Sequence, residues 1–167
     1  RYFDELEAAR RMAEAIMPDP GWVEVHQKDG VTVWKKWLPK GVYGSQYPCV
    51  KATAVVEVNA EAFVDLILDS SRVLEYNRYS RGRDDVARLG PHTKIVWNRT
   101  QPPLTGKVHD FCTLMHVDRR DGGGATVTTR ATDHERAPRL RGAVRSEIVL
   151  GVTVVEPLAP GRATVTT

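Results

Sequence analysis

Alternating apolar and polar positions dominate the second half of the chain and predict a series of strands. These strands cover residues 84–89, 93–101, 108–118, 125–131 and 143–155, and another begins at 163. Short segments rich in Gly, Pro and Asp separate them, which is typical of turns between antiparallel strands. The two long runs on either side of loop 102–107 predict a hairpin, and the later strands are expected to add to this pair.

The first half of the chain combines two amphipathic helices with three further strands. Apolar residues at three- and four-residue spacing predict a helix over residues 2–17, and a second helix over 60–69 follows the N-cap candidate Asn59. An Asp-Gly turn at residues 29–30 favours a hairpin. The three predicted strands cover 22–27, 31–38 and 49–58. With helices set apart from runs of strands, the pattern predicts one α+β domain with nine antiparallel strands.

Composition narrows the class of protein. Hydrophobic residues make up 41% of the 167 residues and charged residues 27%, which is typical of a folded domain rather than a disordered chain. The net charge of +3 comes from scattered Lys and Arg, so no nucleic-acid partner is predicted. No apolar run approaches the ~20 residues of a membrane span. The two cysteines, Cys49 and Cys112, favour a reducing, cytoplasmic compartment.

Candidate catalytic and metal-binding residues are few. His109 and His116 share one predicted strand but lie seven residues apart, so they face opposite sides of the sheet. Cys112 lies three residues from His109 and also faces away from it. No metal site, cofactor or catalytic group is therefore predicted, although a catalytic constellation needs no local motif.

The predicted strands carry more apolar surface than two helices can cover. One face of strand 143–155 is apolar, and Phe111, Thr113 and Met115 share a face of strand 108–118. A curved sheet around a hydrophobic cavity, or a further helix, would cover this surface. An apolar cavity with a few polar groups is typical of a small-molecule site.

Four motifs, in this order, resemble those of the START family, the lipid-transfer domains related to steroidogenic acute regulatory protein. They are Trp22-Val23 with Gly30-Val31-Thr32-Val33-Trp34; Leu66-Ile67-Leu68-Asp69 with Glu75-Tyr76-Asn77; Pro102-Pro103 leading to His109-Asp110-Phe111; and Val144-Arg145-Ser146-Glu147 with Glu156-Pro157-Leu158. Together they extend over nearly the whole chain. The chain is identified on these motifs as a START-like domain covering residues 1–167.

The resemblance implies a helix-grip fold of the START and Bet v 1 type. A nine-stranded antiparallel sheet would curl around a tunnel for one lipid, and a final helix would close the tunnel together with a gating loop at Pro102, Pro103 and Leu104. We expect this lid helix to be missing from the chain, which begins at Arg1 and stops at Thr167 and so reads as part of a longer protein. The implied partners are a lipid and, transiently, a membrane surface, with the domain monomeric and peripheral at membranes.

When the family's binding site is mapped onto this sequence residue by residue, one determinant of sterol specificity is missing. In sterol-binding members a buried acid and arginine pair lies in the tunnel; here the arginine position falls on Met115 and the acid position near Val96 or Asn98. The strand containing Val96 could equally turn Ile95 and Trp97 inward. The predicted ligand-binding residues are Val96, Asn98, Phe111, Thr113, Met115, Val144, Ser146, Ile148 and Leu150.

The favoured function is a non-enzymatic lipid carrier. Two alternatives are a cyclase or hydrolase built on the same helix-grip architecture, and a lipid-sensing module within a larger protein. The enzyme alternative requires a titratable group with a perturbed pKa in the cavity, and the inward-facing residues proposed above include none.

Overall fold

A computed structural model describes residues 1–104 and 106–167; Thr105, within the predicted loop 102–107, lies outside the described residues. The helices are α1 (Tyr2–Ile16), α2 (Ala60–Leu68) and α3 (Val73–Tyr76), with a 3-10 turn at Ser70–Arg72. The strands are β1 (Val23–Lys28), β2 (Val31–Lys36), β3 (Cys49–Val56), β4 (Ser80–Arg88), β5 (Thr93–Thr100), β6 (His109–Arg119), β7 (Ala125–Ala131), β8 (Val144–Arg145), β9 (Gly151–Ala159) and β10 (Arg162–Thr166).

Nine strands form one continuous sheet in the order β1-β2-β3-β10-β9-β7-β6-β5-β4. Every neighbouring pair along this path is antiparallel. The predicted turn between β1 and β2 is present, with positive φ angles of 50° at Asp29 and 76° at Gly30, as a tight hairpin turn requires. The predicted α+β fold with a large antiparallel sheet is confirmed, and no helix follows β10 in the described residues.

The prediction of one long strand over residues 143–155 is wrong. Residues 146–150 are not in a strand, and the short β8 before them pairs parallel to the start of β6, with Val144 beside His109. This place beside β6 is open because β7 ends at Ala131. After crossing over, the chain pairs with the other edge of β7 as β9, which raises the strand count from nine to ten.

The two helices of ordinary length cover opposite faces of the sheet. On the face packed by α2, Val64 contacts a buried cluster that includes Val96 and Met115. On the face packed by α1, Leu6 contacts a second cluster that includes Ile95 and Leu114. The orientation of β5, which the sequence left open, is thereby resolved: Val96 faces α2, and Ile95 faces α1.

Two cations from the sheet bind the carbonyl groups at the C-terminal end of α2. The Arg83 guanidinium, which is 8% exposed, donates hydrogen bonds to the Ile67 carbonyl oxygen at 2.8 Å, the Ser70 hydroxyl at 2.9 Å and the Tyr76 hydroxyl at 3.0 Å. The Lys94 ammonium donates to the Leu68 carbonyl oxygen at 2.6 Å. The last carbonyls of a helix have no partner within it and carry partial negative charge, so these cations fix α2 to the sheet.

We expect Arg83→Met to lower the free energy of unfolding by about 2–3 kcal/mol, since a buried charged donor and its three hydrogen bonds are lost. Urea denaturation followed by circular dichroism measures this loss. The matched control is Arg88→Met on the same strand, where the exposed arginine should change stability by no more than about 0.5 kcal/mol. Equal effects of the two variants would contradict this role for Arg83.

Candidate functional site

A cavity of about 770 Å³ opens at the end of the sheet where β2, β5 and β7 finish. Its walls come from the C-terminal end of α1, the loop between β2 and β3, the start of β3 and residues 146–152. Its main apolar lining residues are Met12, Ile16, Leu38, Ile148, Leu150 and Val152. The volume lies within the range of about 300–1,000 Å³ that is usual for small-molecule sites.

Three of the nine predicted ligand-binding residues, Ser146, Ile148 and Leu150, line this cavity. They lie in the segment that is not a strand, so they reach the cavity through an irregular backbone rather than through the period-two alternation used to predict them. Val144 lies in β8, where its side chain is exposed.

The other five predicted residues share the α2 face of the sheet. Asn98 is paired with Phe111, and Val96 is paired with Thr113, which puts both pairs on one face. Val96 and Met115 are buried in the cluster beneath α2. Asn98 and Phe111 are half-buried beyond that cluster. The nine predicted residues therefore form two groups, and their role in binding a ligand stays a prediction.

Thr113 is the unusual member of this face. Its side chain is 1% exposed, and its hydroxyl has no hydrogen-bond partner among the described residues. A buried hydroxyl without a partner costs about 1–3 kcal/mol, so a polar group that reached it would be bound favourably. This supports the prediction that Thr113 contacts a polar atom of a ligand.

The sequence did not predict the cavity walls formed by α1 and by the loop between β2 and β3. Met12 and Ile16 lie in the predicted helix over residues 2–17, for which no cavity contact was predicted, and none was predicted for the loop between β2 and β3. Gly44 has a φ of 87°, which lets this loop approach residue 149, and the Tyr43 hydroxyl donates to the Glu147 carboxylate. This hydrogen bond raises the pKa of Tyr43. The high aromatic content of the loop was the only signal in the sequence.

A buried ion pair holds the cavity wall in place. The Arg145 guanidinium lies 2.6 Å from the Asp110 carboxylate, and their side chains are 8% and 0% exposed. The Trp97 indole donates to the same carboxylate oxygen at 2.9 Å, and Arg145 also donates to the Ala137 carbonyl oxygen at 2.8 Å. Because Arg145 directly precedes the lining segment, the pair fixes the start of that segment beside β6.

A second, smaller cavity of about 200 Å³ lies on the other side of that segment. It shares Tyr43 and residues 146–149 with the large cavity. Its remaining walls include Cys112 and the side chains of Arg130 and Arg139. The Ser146 hydroxyl at the boundary is hydrogen-bonded to the His109 ring nitrogen Nδ1 at 2.9 Å.

The predicted gating loop joins β5 to β6 at the same end of the sheet. Pro102 is half-buried, Pro103 is exposed and Leu104 is 97% exposed. An apolar side chain so fully in solvent is compatible with contact to a membrane or ligand, but gating by this loop stays a prediction. None of the described helices is long and apolar enough to cross a membrane.

The model of the START domain matches residues 3–167. The chain belongs to the START family. The match covers every strand described above, and the predicted START-type α+β fold is confirmed. A comparison with curated proteins finds no match.

Solved structures agree with this assignment at the level of the fold. Human StAR-related lipid transfer protein 5 is 17% identical, with a TM-score of 0.84 over 100% of this chain and 81% of that chain. Human STARD10 is 18% identical, with a TM-score of 0.80; the match covers 96% of this chain but only 64% of that chain. A STAR-related lipid transfer protein from Xanthomonas axonopodis is 17% identical, with a TM-score of 0.73 over 88% of this chain and 79% of that chain.

Proposed function

We propose that this START domain is a non-enzymatic module that binds one lipid and carries it between membranes. The observation that carries the proposal is the 770 Å³ cavity, largely apolar in its lining, at one end of a START sheet. START domains are in general lipid-binding modules rather than enzymes. We further propose that residues 1–167 act as a monomeric domain that works in the cytoplasm and contacts membranes peripherally.

Removal of apolar surface from water supplies the affinity. A lipid that buries about 400 Å² of apolar surface gains about 10 kcal/mol at 25 cal/mol per Å². Association costs several kcal/mol of lost translational and rotational freedom, which leaves enough for micromolar binding. The polar contacts then determine which lipid binds, while the apolar contacts supply most of the affinity.

The proposed contacts do not include the buried acid–arginine pair of sterol-binding members. The acid position falls near Val96 or Asn98 and the arginine position on Met115, and none of these residues is charged. The proposed polar contacts are Asn98, Thr113 and Ser146, while Ile148 and Leu150 contact the apolar body of the lipid. The ligand class stays a sterol, a phospholipid or another acyl lipid.

The chemistry of the site gives the enzyme alternative no support. Burial raises the pKa of both thiols, Cys49 at the large cavity and Cys112 at the small one, which keeps them protonated and weakly nucleophilic at neutral pH. Over residues 1–104 and 106–167, no group of three or more His, Cys, Asp or Glu side chains could hold a metal ion. The lipid-sensing alternative proposes the same lipid binding and differs from the carrier only in the domains that would accompany this one in a longer chain.

Native mass spectrometry of the protein purified from cells tests the proposal. We expect a mass increment equal to one lipid per chain, and extraction should identify its class. Uptake of fluorescent sterols and phospholipids from cyclodextrin measures the same site in vitro. A folded protein that carries no lipid and takes up none of these probes would contradict the proposal.

A further inference from the structure

The connections at the two ends of the sheet differ in charge. At the cavity end lie residues 37–48, 101–104, 106–108 and 132–150, which together contain five exposed Lys or Arg and three Asp or Glu, besides the buried Arg145 that pairs with Asp110. At the opposite end lie residues 29–30, 57–59, 89–92, 120–124 and 160–161, with one Arg and three Asp or Glu. The cavity end therefore attracts anionic surfaces more strongly than the opposite end does.

The loop between β2 and β3 adds exposed aromatic rings to this basic end. Trp37 is 62% exposed, Tyr43 67% and Tyr47 71%. Between residues 31 and 56 there are four lysines and no Asp or Glu. Lys36 pairs with Asp19 and Lys51 stacks on two tryptophan rings, so Lys35 and Lys40 are the two lysines exposed to solvent. Trp and Tyr with neighbouring Lys are the residues enriched where proteins meet the headgroup layer of a membrane, because each ring has an apolar body and a polar tip.

The other tryptophans are engaged within the fold. The Trp22 indole donates to the Ile16 carbonyl oxygen at 2.9 Å, and the Lys51 ammonium lies 4.6 Å from the Trp22 ring and 5.1 Å from the Trp34 ring. The Trp97 indole donates to Asp110. Trp37 stands apart as a large ring that contributes most of its surface to solvent.

We infer that the loop between β2 and β3 is a docking element for anionic membranes, with Trp37 and Tyr47 in the headgroup layer and Lys40 beside lipid phosphates or carboxylates. Charge complementarity identifies the partner, since an acid-free segment with lysines and exposed aromatic rings fits an anionic lipid surface. The inference rests on the proposed function: Tyr43, Gly44 and Tyr47 form the rim of the cavity, so docking would present the cavity mouth to the membrane.

Co-sedimentation with phosphatidylcholine vesicles, with and without phosphatidylserine, tests the inference. We expect the protein to bind the phosphatidylserine vesicles more tightly, and added salt should weaken that binding. Lys40→Gln should weaken it about fivefold, since one lysine near an anionic surface contributes about 1 kcal/mol. Trp37→Ala should weaken it about tenfold through lost apolar contact. Neither residue lines the cavity, so lipid uptake from cyclodextrin should be unchanged.

Two variants at the other end of the sheet are matched controls. Leu158 is 53% exposed near the end of β9, and Lys28 is exposed beside the β1–β2 turn. Leu158→Ala and Lys28→Gln should leave vesicle binding unchanged. Quenching of tryptophan fluorescence by brominated phosphatidylcholine should be lost in Trp37→Phe, because the other three indoles lie within the fold.

Three outcomes would overturn the docking inference: Trp37→Ala binds as tightly as the parent, Leu158→Ala weakens binding equally, or the parent binds no vesicles while a protein partner binds the loop. Normal uptake of lipid from cyclodextrin beside any of these outcomes leaves the proposed function intact. Vesicle binding that depends on Trp37 and Lys40 without any lipid uptake would support docking and contradict the proposed function.

Discussion

Arg145→Met is expected to lower the free energy of unfolding by about 3–5 kcal/mol, the usual effect of leaving a buried charge without its partner. The Asp110 carboxylate is 0% exposed, and it would keep only the hydrogen bond from Trp97. Its second oxygen already has no partner among the described residues. Urea denaturation at neutral pH, followed by circular dichroism, measures the loss.

An exposed ion pair on the same sheet provides the control. Arg162 lies 3.1 Å from Glu57 at the surface, with both side chains largely in solvent. Arg162→Met should change stability by about 0.5 kcal/mol or less, because solvent screens such pairs. A loss for Arg145→Met as small as that of the control would show that the buried pair does not stabilise the fold.

The effect of Arg145→Met should depend on pH. Burial alone raises the pKa of Asp110, but the hydrogen bonds from Arg145 and Trp97 and the charge of Arg145 outweigh burial, so the pKa is lowered in the folded protein. The pair therefore stabilises the parent fully above the unfolded value of about 3.9, and this stabilisation is lost as pH falls through the folded pKa. In the variant burial dominates, so the stability gap between parent and variant should narrow from pH 7 to pH 4. An equal gap at both pH values would contradict this account.

Leu150→Asp is expected to weaken lipid binding at least about a hundredfold. Leu150 lines the large cavity, and a short carboxylate there would lose hydration to an apolar ligand without gaining a partner. Titration with a fluorescent lipid that the parent binds measures the change in dissociation constant. Leu150→Met, which conserves volume and polarity, should bind within about threefold of the parent.

Two further variants separate loss of binding from loss of folding. Val25→Asp places the same charge on the exposed edge strand β1, away from the cavity, and should bind normally. Leu150→Trp fills the cavity without adding charge and should also reduce binding. Normal binding by a folded Leu150→Asp protein would exclude this cavity as the lipid site.

Sequence patterns predicted the sheet well wherever one face of a strand is buried. The period-two alternation in β6 put Phe111, Thr113 and Met115 on one face, and the register with β5 confirms that grouping. The same alternation failed in residues 143–155, because period two continues through a segment that leaves one strand and joins another. Residues 144–145 pair with β6 as β8, and the chain then pairs with β7 as β9. This change of partner depends on where β7 ends, which the local sequence does not encode.

The cavity residues were likewise predicted only in part. Ser146, Ile148 and Leu150 were predicted from apolar alternation and the family resemblance, and they line the cavity. The walls from α1 and from the loop between β2 and β3 were missed, since contacts between residues more than a hundred positions apart leave no local pattern. In the sequence Trp37 and Tyr47 are ordinary loop residues; the fold puts Tyr47 on the cavity rim and Trp37 directly before the lining residue Leu38.

The sequence by itself determined the fold class, the antiparallel strands, the apolar faces and the family, because burial on one side of an element imposes a period that can be read locally. The tertiary structure decided which face of β5 meets α2, where the chain crosses between β8 and β9, and which residues enclose the cavity. Those features follow from long-range pairing and from the Asp110–Arg145 ion pair, whose partners are 35 residues apart in the chain. Such contacts join residues that are far apart in the chain, so no local pattern of the sequence encodes them.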